Sequence, residues 1–217
     1  MSKTRNVRVL WSCLTILLCI ALMVGATYAW FTETITVDHL IIIRGGNLDI
    51  TLKRTHLSWS RLGSLGEMQE GSSDEVVDFS EPTQRNVFDL TADTLIVPCT
   101  WYEATMAVEN RNAVTFGYWI EVVPTGNTPN DLARQLEVTV TTYDQHGEVI
   151  ETVTKSAGES LQIGGKGSYV GILETDDPAQ TFKIKVNFPD LGDANNIAQA
   201  QSCSFDLIVR AIQVLKE

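Results

Sequence analysis

Beyond the first thirty positions of this 217-residue chain, strong helical periodicity is nearly absent, and strand-like alternation is the dominant pattern. Histidine is scarce: His39, His56 and His146 are the only three. No His-Glu-x-x-His pair sets two imidazoles on one helix face. A catalytic zinc, which needs three protein ligands and an open position, therefore has no motif, and no metal or cofactor is expected. No Gly-x-Ser-x-Gly elbow supports a serine nucleophile. Gly164-Gly165-Lys166-Gly167 follows no βα pattern and reads as a turn, not a phosphate loop. Positive charge is also in short supply: 16 Lys and Arg face 27 Asp and Glu, a net charge of −11. That balance argues against nucleic acid, whose backbone demands Lys and Arg, and against docking on anionic lipid. It favours a soluble, self-repelling surface.

What is present begins with a leader. Lys3, Arg5 and Arg8 precede the apolar run from Leu14 to Val24, no acid occurs before Glu33, and small residues Gly25, Ala26, Thr27 and Ala29 close the run. A basic region, an apolar region and a small-x-small exit make a secretory signal peptide, a helix over residues 1–29. Cleavage is expected after Ala29, with Thr27 and Ala29 as the small residues and Trp30 as the new amino terminus. The competing reading is an uncleaved anchor, since Val7 to Ala29 is just long enough for a bilayer of roughly 30 Å. Four cysteines occur, of which Cys13 and Cys19 fall in the leader. Cys99 and Cys203 remain, and in an exported chain they are compatible with one disulfide or with two free thiols.

Residues 30–217 are of ordinary size for one domain with a real core. Trp30 to Val37 reads as a strand. Leu48, Ile50 and Leu52 alternate with Asn47, Asp49, Thr51 and Lys53, the period of a half-buried strand. From 55 to 86 the alternation fades among glycines, serines and acids, which predicts a long acidic surface loop. Further strands are predicted over Trp101 to Asn110, Phe116 to Val122, Leu136 to Val140, Val149 to Val153, Ser168 to Leu173, Phe182 to Phe188 and Cys203 to Leu215. Asp144-Gln145-His146-Gly147 marks a hairpin turn. Thr128 and Pro129 suit the N-cap and first position of a short helix reaching Leu136. Residues 189–201 read as a loop or short helix. About nine or ten short strands with polar turns indicate an all-β, two-sheet sandwich with long loops.

Several of these stretches resemble one family. Gly25-Ala26-Thr27-Tyr28-Ala29-Trp30-Phe31-Thr32-Glu33-Thr34, followed by Gly45-Gly46-Asn47-Leu48-Asp49-Ile50, is similar to the start of the TasA/camelysin proteins. These are secreted proteins of Gram-positive bacteria processed by a SipW-type signal peptidase. Leu95-Ile96-Val97-Pro98 with Val108-Glu109-Asn110 resembles the family's "L-x-P-G-D" turn and "V-x-N" strand, except that Cys99 and Thr100 replace the usual Gly-Asp. Ser204-Phe205-Asp206-Leu207 with Val209 and Ala211 resembles its final strand. The acidic 55–86 stretch and residues 144–180 have no counterpart.

The resemblance implies a jelly roll. It also implies an extracellular structural protein of the biofilm matrix or cell surface, which forms fibres by donating its mature amino-terminal strand to a neighbour. Partners would be further copies of the chain, other matrix proteins and the signal peptidase, with membrane contact only through the uncleaved leader. Residues 30–37 suit donation, because an added strand bonds to an open sheet edge through its main chain. Phe31, Ile35 and Val37 share one parity and would insert. Pairing of 30–37 with its own domain is the alternative. Camelysin-like relatives are classed as metallopeptidases, so a secreted metallo-endopeptidase stays open as a second function, and a monomeric surface adhesin as a third.

Overall fold

The computed structural model describes residues 32–37, 50–63, 66–80, 85–90, 96–126, 130–198 and 201–214, the first of these by backbone and register. Signal-peptide residues Thr27 and Ala29, with Trp30 and Phe31, lie outside the described residues, as does the apolar run before them. Among the described residues no helix is long and apolar enough to cross a membrane.

Twelve strands among the described residues form two antiparallel sheets. The smaller contains β1 (Thr32–Val37), β12 (Ser204–Gln213), β6 (Phe116–Thr125) and β10 (Gly171–Leu173) in that order, with β9 (Leu161–Ile163) also on β6. The larger runs β3 (Met68–Ser73), β2 (Ile50–Leu62), β5 (Trp101–Asn110), β11 (Gln180–Asn187), β7 (Glu137–Tyr143), β8 (Val149–Ser156), with β4 (Val77–Asp78) on β2. The period-2 pattern explains the layers. In β11, Phe182, Ile184 and Val186 are buried while Thr181, Lys183 and Lys185 face out. In β12, Leu207, Val209 and Ala211 are buried with them. The inward residues of both sheets join one apolar cluster, including Leu52, Met106, Ile120, Phe182 and Val209. The expected all-β sandwich is the observed architecture.

Two expectations need correction. The stretch 55–86 is not a continuous loop: β2 runs on to Leu62, and β3 returns along it from Leu62↔Met68 to Leu57↔Ser73. Its alternation was invisible because β3 has both faces largely exposed, so no apolar row marks it. The helix α1 (Asp131–Gln135) is capped by Asn130, whose side chain accepts from Ala133 N–H at 2.9 Å. It is not started by Thr128 and Pro129, which lie outside the described residues. The predicted turn at 144–147 is present. Asp144 Oδ1 accepts from the N–H of His146 and Glu148, and Gly147 takes φ +83°. The backbone N–H of Glu148, then that of His146, outweighs slight burial and holds the Asp144 carboxyl below its usual range. Residues 192–198 form a short 3-10 helix.

Candidate functional site

β1 lies at the outer edge of the smaller sheet and pairs antiparallel with β12, from Thr32↔Ile212 to Val37↔Leu207. β12 is ladder-bonded on its other side to β6 along its full length. β12 is thus fixed on one side to β6 and holds β1 on the other. The register sets Ile35 opposite Val209 and Val37 opposite Leu207, both buried core residues. Of the three expected inserting residues, these two fall at core-row positions, and Phe31 lies outside the described residues. On the other face of β12, Arg210 Nε donates to Glu121 Oε2 at 2.9 Å, and Trp119 Nε1 donates to Glu121 Oε1 at 2.8 Å. This lattice ties β12 to β6.

A second outer element is tied differently. Residues 85–90 contribute Val87 and Phe88 to the core, with the Phe88 ring 6.4 Å from that of Tyr102. Arg54 of β2, fully buried, donates from Nη1 to Val87 O at 2.9 Å and from Nη2 to Asp89 Oδ2 at 2.6 Å. Arg85 donates to both Asp89 oxygens, and its Nη1 also reaches Glu75 Oε1 at 2.6 Å. Burial alone would raise the Asp89 carboxyl, but the hydrogen bonds from Arg85 and Arg54 outweigh it and hold it below its usual range. Hydrogen bonds from the same Arg85 lower Glu75, and both acids raise Arg85. The sequence signal for this clasp was a charged residue in an apolar register: Arg54 continues the row of Leu48, Ile50 and Leu52. Its partner could not be read, because Asp89 stands 35 residues away.

Cys99 and Cys203, the two cysteines among the described residues, stand as free thiols, one of the two arrangements that the sequence leaves open. Cys99 precedes β5 of one sheet and Cys203 precedes β12 of the other. Cys203 packs against the core, and burial pushes its thiol up to about 11. Cys99 is exposed at the third position of a turn closed by Thr100 N–H to Val97 O at 3.1 Å. With Pro98 second and Cys99 at φ +70°, this is a type II turn, whose third residue must take the left-handed conformation.

Among the described residues the two histidines are not brought together. His39 lies outside the described residues, His56 sits within β2 with Nδ1 2.6 Å from Asp74 Oδ1, and His146 occupies the hairpin turn. Among the described residues no three His, Cys, Asp or Glu side chains converge as a metal site. No protein-family model matches the chain, and comparison with curated proteins and with solved structures likewise returns no match.

Proposed function

We propose that this is an exported structural protein of the extracellular matrix or cell surface that polymerises by strand exchange. Residues 30–37, freed by cleavage after Ala29, leave their own β12 and occupy β12 of the next copy. The observation that carries the reading is the place of β1: an edge strand, paired among the described residues with β12 alone, whose register puts Ile35 and Val37 opposite core positions. An exchanged strand would make the same ladder in the neighbour, so little enthalpy separates closed and open forms, and concentration decides.

The family resemblance is part of the support. The turn at 97–100 holds Cys99 in the conformation that favours glycine, at the place where the TasA/camelysin pattern carries glycine. The two-sheet sandwich suits a jelly roll. On this reading the protein is not an enzyme, its principal partner is itself, and a SipW-type peptidase releases it.

Negative-stain microscopy and light scattering of protein beginning at Trp30 test the proposal against protein lacking 30–37 and against Ile35→Asp. Fibres from the first and folded monomers from the others are expected. Equal fibres from the deleted protein would overturn it. A camelysin-like activity would be revealed by chelator-sensitive casein hydrolysis, which is not expected.

A further inference from the structure

We propose that β8 is a second, self-complementary assembly edge, through which two copies of this chain pair about a two-fold axis. Among the described residues β8 ends the larger sheet, bonded to β7 on one side only. It is eight residues long, contains no proline, and exposes Val149 (58%) and Ile150 (52%). The other described strands with a free edge are shorter: β1 and the polar β3 have six residues each, β9 and β10 have three each, and β4 has two. An exposed edge of this length ordinarily carries a block or a partner.

The backbone phase is fixed by Ala157 N–H, which bonds Leu136 O in continuation of the β7–β8 ladder. From Glu151 to Lys155 the odd-numbered residues therefore turn their N–H and C=O groups to β7, and Thr152 and Thr154 turn theirs to the free edge; a bulge at Ile150, between Thr142↔Glu151 and Tyr143↔Val149, ends this phase. Antiparallel pairing of β8 with its own copy, centred on Val153, sets Val153 opposite Val153 of the second copy and Thr152 opposite Thr154. It also sets Glu151 opposite Lys155, twice over by symmetry. From Glu151 to Lys155 each side chain then meets a suitable partner. The charge pairs are opposite in sign. The threonines extend the rows already built within one copy, where Thr139 and Thr154 hydroxyls lie 2.8 Å apart and Thr152 donates to Thr141 at 3.1 Å. The pairing gives four-threonine rows across both sheets. The Glu151 carboxylate has no polar partner among the described residues, and the Lys155 ammonium holds only the exposed Ser160 carbonyl at 2.9 Å. A register displaced by two residues from this centre would put Val153 opposite Glu151 or Lys155 and break both ion pairs. Edge-only contacts are small, so the dimer is weak and concentration-dependent. The pairing rests on nothing said of β1.

A charge swap tests it, read by sedimentation equilibrium of the purified full chain. Wild type is expected to rise toward twice the monomer mass with concentration. Glu151→Lys alone and Lys155→Glu alone should each weaken self-association by about tenfold or more, since two attractive pairs become repulsive. An equimolar mixture of the two should restore it, because the mixed pair regains both opposite-charge contacts. A second readout uses Val153→Cys in a background with Cys99→Ser and Cys203→Ser. A residue on the two-fold, in a non-hydrogen-bonded pair, has Cα atoms about 4.5 Å apart, within disulfide reach. Oxidised dimer is expected from Val153→Cys, whereas Thr152→Cys needs Thr154→Cys as its mate. Wild type that stays monomeric, a mixture that fails to recover, or cross-linking equal at all three positions would overturn the proposal.

Discussion

Two elements lie on the outside of this sandwich and are held in opposite ways. The strap 85–90 is fastened by side chains: a fully buried arginine, a carboxylate shared between two guanidinium groups, and two apolar residues in the core. β1 is fastened by a ladder to one neighbour. Side-chain fastening makes opening costly, because releasing the strap leaves the Arg54 charge buried and unpaired. A ladder is sequence-tolerant and is reproduced intact in a second molecule. The difference is what the proposed exchange rests on: the strap stays on its own domain as a fixture, and the strand is the element proposed to transfer.

The largest expected effect breaks the fixture. Asp89→Ala leaves the Arg54 charge buried without its carboxylate and should lower unfolding free energy by about 3 kcal/mol, measured by urea denaturation. Arg54→Met together with Asp89→Ala should recover most of that loss. A loss under about 1 kcal/mol from the single change would show the clasp to be ornamental.

Acid separates the two elements next. The folded Asp89 carboxyl is depressed, so its stabilisation is fully present above the ordinary aspartate value near 4 and is lost as pH falls through the lower folded value. Assembly responds earlier and in the other direction. Without Lys3, Arg5 and Arg8 the chain from Trp30 has 13 Lys and Arg against 27 Asp and Glu, a net charge of −14 that opposes close approach, so added salt, or a drop from neutral toward the carboxylate range, should strengthen polymerisation while the clasp still holds. Light scattering and circular dichroism followed together across pH 7 to 3 would show assembly rising before structure is lost. Simultaneous changes would merge the two elements into one.

Smaller effects sharpen the description of the frame that accepts β1. The Tyr118 hydroxyl on β6 is buried with no hydrogen-bond partner among the described residues, and burial pushes its pKa well above the usual tyrosine value. Tyr118→Phe should therefore stabilise the domain by about 1 kcal/mol in chemical denaturation. Cys99→Gly should add about 0.5 kcal/mol: the left-handed strain at φ +70° is relieved, and greater unfolded-state freedom offsets part of the gain. Destabilisation by Cys99→Gly would mean that the thiol packs usefully where it stands.

Much of the sheet structure was legible because one face of most strands is wet. Phe182 to Phe188 and Cys203 to Ala211 show their period directly. β3 was not legible, because a strand exposed on both faces writes no apolar row. The clasp was half legible: Arg54 sat in a core register, but Asp89 is brought to it only by tertiary folding, and Asp89 itself takes a left-handed backbone angle of φ +53°. The edge position of β1 could not be read from its own residues, since order within a sheet is set by partners far along the chain.

The most direct test of exchange asks whose β12 each β1 occupies. Ile35 and Val209 are register partners. Ile35→Cys with Val209→Cys, in a background of Cys99→Ser and Cys203→Ser, can be oxidised after fibres have formed and run on a denaturing, non-reducing gel. Strand exchange requires a ladder of covalent dimers, trimers and longer chains, which collapses to monomer on reduction. Fibres that yield only monomers with an internal bond would contradict it, because each β1 would then have stayed on its own domain.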